Sequence, residues 1–151
     1  MTAMTVGAGV GLGTLLLGPV AQAATTTPGG ESTGLVAGTP CTKTAEACVD
    51  LESRQAWLIK DGAVVRGPVP IMPGDPDEPT PVGTFHVEWK DPNHVNEKGQ
   101  AMPYSAFFAP GGVAFHEGSL QRYSAGCVHL SHDEAVAFYD YLQVGDEVQV
   151  H

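Results

Sequence analysis

The chain has 151 residues, which is enough for one domain with a sizeable core but leaves little room for a second. Seventeen acidic residues against seven basic ones give a formal net charge of -10, with no Lys/Arg cluster that could neutralise a run of phosphates. The composition therefore argues against nucleic acid as a partner, and the acidic surface alone indicates no function. Apolar residues make up 42% of the chain, and 19 glycines and 12 prolines favour a strand-rich fold with many turns.

The N-terminal segment is predicted to direct export. An apolar, glycine-rich run from Val6 to Val20 leads into Ala21-Gln22-Ala23, the small-x-small pattern that signal peptidase cleaves. We therefore predict a signal peptide over residues 1–23. No Lys or Arg precedes the apolar run, so the alternative is a retained segment that anchors the chain in a membrane.

The following segment has the composition of a flexible linker. Residues 24–40 are mainly Thr, Gly, Pro and Ala, which bury too little apolar surface to offset the entropy cost of ordering. The folded domain is accordingly predicted over residues 41–151.

Most of this domain consists of short apolar runs separated by turn signals, a pattern typical of β-strands. The Asp61-Gly62 turn is expected to join two runs into a hairpin, and Pro110-Gly111-Gly112 to join two others. A loop is predicted at 74–79, where Gly, Pro and Asp cluster. The predicted strands are Val49 to Leu51, Gln55 to Lys60, Ala63 to Ile71, an alternating run from Phe85 to Trp89, Ala106 to Ala109, and Val113 to His116.

One later segment has helical periodicity. Its apolar residues recur at helical spacing, namely Ala135, Phe138, Tyr139 and Leu142. Ser131 and Glu134 have the spacing of a capping box, so a helix is predicted at about 132–142. Gly145 is expected to end it, and the alternation at 147–150 predicts an edge or barrel strand.

The three cysteines are predicted to divide into a pair and a free thiol. In an oxidising compartment Cys41 and Cys48, with six residues between them, are natural disulfide partners, which leaves Cys127 unpaired. Spacing does not exclude a disulfide from Cys127 to either of the others. An unpaired Cys127 could equally be buried and inert, an intermolecular link or a nucleophile.

The local sequence favours the nucleophile. Ser124-Ala125-Gly126-Cys127 places the thiol after a glycine and shortly before the predicted helix. Glycine allows a tight turn, so that amides near Cys127 can converge on one point and stabilise an oxyanion. Gly126, Ser124 and Ala125 are therefore candidates for shaping the site.

A thiol with an ordinary pKa is mostly protonated at neutral pH and needs a nearby base. His116 ends a predicted strand, from which its side chain can project rigidly, and it is the preferred base. His129 lies two residues after Cys127, so in extended chain both face the same side, and it could orient substrate or act as base instead.

Zinc is the competing chemical interpretation. His116, Cys127, His129 and His132 are ligand types that suit a tetrahedral site. Neither a second CxxC nor an HExxH pattern supports a metal, so we predict no metal and no cofactor.

At these residues the sequence resembles the L,D-transpeptidase catalytic domain. That family carries a His-Gly pair and then, after a loop, often Ser-His-Gly-Cys. The counterparts here are His116-Glu117-Gly118 and Ser124-Ala125-Gly126-Cys127-Val128-His129. Further ordered similarity lies in Val49-Asp50-Leu51, Pro79-Thr80-Pro81-Val82-Gly83-Thr84-Phe85 and Met102-Pro103-Tyr104, so that the resemblance spans about 47–150.

The resemblance implies a mainly β fold, a sandwich or flattened barrel, in an exported bacterial enzyme of the cell wall. Cys127 would attack a tetrapeptide stem of peptidoglycan, expel the terminal D-Ala and pass the acyl group to an acceptor amine, with His116 as base. Gly126 and Cys127 amides would hold the oxyanion. The resemblance also implies substrate contacts for His129, Tyr104 and Gly118. Membrane association is expected only if the N-terminal segment stays uncleaved, and the oligomeric state is left open.

Three residues and one spacing differ from the family pattern. Ala125 replaces a histidine, His129 replaces Arg or Asn, Glu117 separates His116 from Gly118, and only ten residues lie between His116 and Cys127. Two alternatives to transfer follow. One is an L,D-carboxypeptidase that gives the acyl-enzyme to water, and the other is a catalytically weak or inactive domain that binds wall peptides.

Overall fold

The computed structural model describes residues 7, 9, 11 and 34–151, and the last range contains two β-sheets and one helix. The predicted signal peptide and most of the predicted linker therefore lie outside the described residues. The elements are β1 (Ala47–Asp50), β2 (Gln55–Lys60), β3 (Ala63–Pro70), β4 (Gly83–His86), β5 (Trp89–Val95), β6 (Ala101–Ala109), β7 (Val113–Glu117), β8 (Val128–Leu130), α1 (His132–Tyr141) and β9 (Glu147–Val150).

The two sheets differ in connectivity. The first has the order β3-β2-β1-β9-β4, in which β9 runs parallel to β1 and antiparallel to β4. The second has the order β5-β6-β7-β8, antiparallel except for the parallel pair of β7 and β8. That parallel pair requires a crossover between its strands, and the loop 118–127 supplies it.

Both sheets and the helix contribute to one apolar core, which makes the fold a β-sandwich with α1 packed on β6, β7 and β8. Three aromatic rings form its centre, with Phe115 4.8 Å from Phe108 and 5.3 Å from Phe138 between ring centroids. The core also contains Ala47, Val49, Leu58, Val128, Leu130, Leu142, Val148 and Val150. The predicted fold class is confirmed.

Several local predictions are confirmed as well. The helix lies where its periodicity placed it, and Ala135 and Phe138 are buried. The Asp61-Gly62 turn joins β2 to β3, with both residues at positive φ (50° and 76°), a conformation that suits glycine and is tolerated by aspartate.

Three local predictions are wrong. β9 lies inside its sheet and not at an edge, because β1 and β4 both pair with it. The alternating run at 85–89 is not one strand, since it divides between β4 in the first sheet and β5 in the second. The capping box does not form: Ser131 makes no side-chain cap, and Glu134 instead forms an ion pair with Arg66.

The predicted disulfide between Cys41 and Cys48 is present, and Cys127 is free. The folded domain includes residues before Cys41, because Val36 is buried against the disulfide and its amide donates to the Cys41 carbonyl at 2.8 Å. The end of the predicted linker therefore belongs to the folded domain. Among the described residues no helix is long and apolar enough to cross a membrane.

Candidate active site

The alternation of β7 separates the core from the candidate site. Phe115 points into the core, so its neighbour His116 points to the opposite face of the second sheet. The parallel register pairs His116 with His129 and Phe115 with Val128, which places Cys127 at the start of β8 beside Ala114. His116 and Cys127 line one cavity of about 630 Å³.

His116 is held in the tautomer that a general base requires. Its side chain is 5% exposed, and its Nδ1 lies 2.7 Å from the Glu117 carbonyl oxygen. A carbonyl can only accept, so Nδ1 carries the proton and Nε2 keeps its lone pair. Burial lowers the pKa of His116 to about 4, opposed by the Glu117 hydrogen bond and assisted by repulsion from His129 and His94. The imidazole is therefore neutral at physiological pH.

Cys127 is a partly buried residue that packs against the cluster of Met102, Phe107 and Ala114. Its Sγ lies 3.5 Å from the Gly112 carbonyl oxygen, to which the thiol donates. Burial raises the pKa of Cys127, and a backbone hydrogen bond from Ala114 offsets part of that rise. The resting site thus contains an uncharged thiol and an uncharged imidazole, which spares the protein the cost of burying an ion pair.

A left-handed residue in β6 brings two apolar side chains to the thiol. Met102 and Phe107 are five residues apart and would lie on opposite faces of a regular strand. Tyr104 has φ 56°, and the alternation shifts there, so that both belong to the buried cluster against which Cys127 packs. Tyr104 itself lies away from the cavity, its ring 5.8 Å from those of His132 and Tyr139. Tyr104 lines neither this cavity nor a second one beside Cys127, and its contact with substrate stays a prediction from the resemblance.

His129 packs against His116, and Gly118 packs against His129. The His129 ring meets His116 edge-on, with 4.8 Å between centroids, and its Nδ1 donates to the Ser119 carbonyl at 2.9 Å. A Cβ on Gly118 would lie 2.6 Å from the His129 ring, so only glycine fits there. Both residues line the cavity, and Gly118 shapes it through its missing side chain.

The segment before the thiol is fixed by side-chain hydroxyls. The Ser124 hydroxyl donates to the Cys127 carbonyl and accepts from the Gly126 amide at 3.1 Å. Thr80 donates to the Gly126 carbonyl at 2.8 Å, a contact that sequence reasoning missed. The available signal was a threonine between two prolines, Pro79-Thr80-Pro81, in a segment already noted for its family resemblance. Ala125 is exposed at the cavity rim.

Of the four residues considered as zinc ligands, His116, Cys127 and His129 line the first cavity and His132 does not. His132 is exposed, and its Nδ1 lies 3.1 Å from a carboxylate oxygen of Glu117. Within the part of the chain that the structure describes, no group of three His, Cys, Asp or Glu side chains is arranged to hold a metal ion.

Comparison with known proteins identifies the family. The family model YkuD, described as the L,D-transpeptidase catalytic domain, matches residues 44–150. The chain belongs to the L,D-transpeptidase catalytic domain family.

Its relatives in this family are distant in sequence. L,D-transpeptidase 1 of Mycobacterium tuberculosis is 28% identical, and the match covers 72% of this chain and 52% of that protein. The solved L,D-transpeptidase of Stackebrandtia nassauensis is 28% identical with a TM-score of 0.66, covering 70% of this chain and 54% of that one. A solved L,D-transpeptidase of Mycobacterium smegmatis is 27% identical with a TM-score of 0.64, covering 73% and 59%. The chain spans little more than half the length of these relatives.

In this L,D-transpeptidase domain the thiol is reached from two sides. A second cavity of about 620 Å³ shares Cys127 and Ala125 with the first. Its wall is aromatic, because Trp89 stacks flat on Phe107 with 3.9 Å between ring centroids, and His94 meets Phe107 edge-on. Cys127 therefore lies where two adjoining cavities meet.

Proposed function

We propose that this chain is an exported peptidoglycan L,D-transpeptidase in which Cys127 is the nucleophile and His116 the base. The observation that carries the proposal is the tautomer of His116, because its Nδ1 is committed to the Glu117 carbonyl and Nε2 is left to accept a proton in the cavity that holds the thiol. Membership of the L,D-transpeptidase family supports the same assignment.

The first half-reaction forms a thioester. Cys127 Sγ attacks the carbonyl carbon that precedes the terminal D-Ala of a tetrapeptide stem, while the thiol proton passes to His116 Nε2. The tetrahedral intermediate then collapses, its carbon–nitrogen bond breaks, and His116 returns the proton to the departing amine of D-Ala. Because thiol and imidazole are both neutral at rest, charge develops only as the substrate carbonyl arrives.

The second half-reaction transfers the acyl group. An amine of an acceptor stem attacks the thioester carbon, His116 accepts a proton from that amine, and the carbon–sulfur bond breaks. The proton then restores the Cys127 thiol. The Cys127 amide stabilises the oxyanion in both steps, because the Gly126 amide that the sequence also suggested already donates to the Ser124 hydroxyl. Ser124 thereby holds the turn that carries the Cys127 amide, and Ala125 leaves the rim open. His129 orients His116 and borders the substrate, in the space that Gly118 leaves free.

The test is incubation of the purified domain with a muropeptide that bears a tetrapeptide stem, with products identified by mass. Cross-linked dimer together with released D-Ala is the expected result. D-Ala without dimer would replace the proposal by an L,D-carboxypeptidase, and neither product would replace it by a wall-binding domain. Cys127→Ala is the control, because every product must disappear with the thiol.

A further inference from the structure

We propose that Thr80 is a positioning residue for acyl transfer, which orients the peptide bond between Gly126 and Cys127 so that the Cys127 amide faces the oxyanion. The inference rests on the proposed function, since only an acyl-transfer step develops that oxyanion. Thr80 lies in the loop before β4, remote in sequence from the nucleophile.

The Thr80 hydroxyl both donates and accepts a hydrogen bond. The side chain is 3% exposed, its Oγ1 donates to the Gly126 carbonyl oxygen at 2.8 Å, and it accepts from the Gly74 amide at 3.0 Å. A hydroxyl has one proton to donate, so the bond from Gly74 determines where that proton can point. Thr80 is thus a fixed donor aimed at the carbonyl of the residue before the nucleophile.

Fixing that carbonyl also fixes the amide of Cys127. A trans peptide unit is planar, and its C=O and N–H point in opposite directions. Gly126 has φ 117°, a backbone conformation that residues with a side chain rarely adopt. Because glycine is conformationally free, this peptide unit needs a hydrogen bond from outside the turn to hold one orientation. In the described chain, none of the hydrogen bonds found around residues 124–127 uses the Cys127 N–H. That donor is therefore held ready for an oxyanion.

The loop that contains Gly74 packs closely against both Thr80 and the turn before Cys127. A Cβ on Gly74 would lie 2.8 Å from both the Gly126 Cα and the Thr80 amide nitrogen. The backbone next to Gly74 is also hydrogen-bonded to the loop 124–127 that precedes β8, since the Asp75 amide donates to the Ser124 carbonyl at 3.1 Å. The backbones of the two loops are in contact, and the Thr80 hydroxyl is the side-chain link between them.

The test compares two reactions of the same thiol. Acylation by a carbapenem forms an oxyanion at the lactam carbonyl, whereas alkylation by iodoacetamide displaces iodide and forms none. Thr80→Val keeps the shape and removes the hydroxyl. We expect it to slow carbapenem acylation by about 10- to 100-fold, the scale of an impaired oxyanion donor. Iodoacetamide alkylation, which depends on the thiolate and its access, should stay within about threefold of wild type.

Three further variants make the result interpretable. Thr80→Ser should restore acylation, and Thr84→Val, at an exposed threonine in β4, should leave both rates unchanged. Thr80→Ala is measured as a second hydroxyl-free variant. If thermal unfolding shows that either Thr80→Val or Thr80→Ala is misfolded, the other is used for the comparison of rates. Acylation at the wild-type rate in a folded hydroxyl-free variant, or an equal fall in both rates, would overturn the role of Thr80. A wild-type chain that alkylates but never acylates would instead overturn the proposed function, and the role of Thr80 with it.

Discussion

The two cysteine sites of this domain place sulfur in different environments, a buried disulfide and a free thiol. Cys41 and Cys48 are fully buried, bonded to each other and surrounded by Val36, Trp57 and Ile59 beside the first sheet. Cys127 lies on the second sheet, where two cavities meet, with its thiol free. The disulfide closes a loop of the fold, whereas the Cys127 thiol borders the cavities.

The difference shows that burial alone does not decide what a cysteine does. Burial raises the pKa of Cys127 and by itself would make the thiol unreactive. What distinguishes this site is a neutral imidazole in the same cavity, whose Nε2 can accept the proton that burial keeps on the sulfur. In the proposed mechanism, reactivity is therefore a property of the pair of Cys127 and His116. Each variant that follows changes one of the two cysteine sites.

The largest effect is expected from removing the base. His116→Gln should lower the rate of carbapenem acylation by about 10²- to 10⁴-fold, the usual contribution of a general base, because the protonated thiol then has no acceptor. His86→Gln, at an exposed histidine of β4, is the matched control and should react like wild type. Rates are measured by intact-protein mass against time. Equal rates in His116→Gln and wild type would assign the proton to another group.

The next effect concerns stability and pH. The pKa of His116 is about 4 in the folded chain, against an ordinary value of 6.5. Between pH 6.5 and pH 4 this histidine is therefore protonated more readily in the unfolded chain than in the folded one. The free energy of unfolding falls as the pH falls through that range. The stabilisation is complete above pH 6.5 and is lost towards pH 4, by about 3 kcal/mol in total.

Urea unfolding of wild type and His116→Gln from pH 7 to pH 4 measures this loss. The difference between the two unfolding free energies should change with pH, because glutamine does not titrate. Parallel curves would show that His116 is not buried in its neutral form.

The smallest effect is expected at the paired cysteines. The disulfide joins residues separated by seven positions, and its removal in Cys41→Ala/Cys48→Ala should cost about 2 kcal/mol of unfolding free energy through the freed loop. Carbapenem acylation should be unchanged, because this pair lies in a cluster separate from the cavities. Urea unfolding and acylation rates are compared with wild type. Loss of acylation in a folded variant would mean that the two cysteine sites are coupled.

Local patterns predicted what local forces determine. The spacing of Ala135, Phe138 and Leu142 located α1 because an amphipathic helix must bury one face. The motif around Cys127 and His116 likewise indicated the two residues that the second sheet brings into one cavity.

Long-range pairing was not visible in the sequence. The strand β5 contains Asp91-Pro92-Asn93, a composition typical of turns, and forms because β6 pairs with it. The interior position of β9 depends on pairing with β1, and Ala47 of β1 pairs with Val148, far later in the chain. The contact of Thr80 with Gly126 spans 46 residues and could not follow from either local segment.

The most direct test of the central claim is to map where a carbapenem attaches. Wild type and Cys127→Ala are incubated with imipenem without reductant, digested, and analysed by mass for the adduct and for disulfide-linked peptides. We predict one adduct per wild-type chain on the peptide that contains Cys127, a separate disulfide between Cys41 and Cys48, and no adduct in Cys127→Ala. An adduct that persists in Cys127→Ala, or a wild-type Cys127 found in a disulfide, would contradict the account.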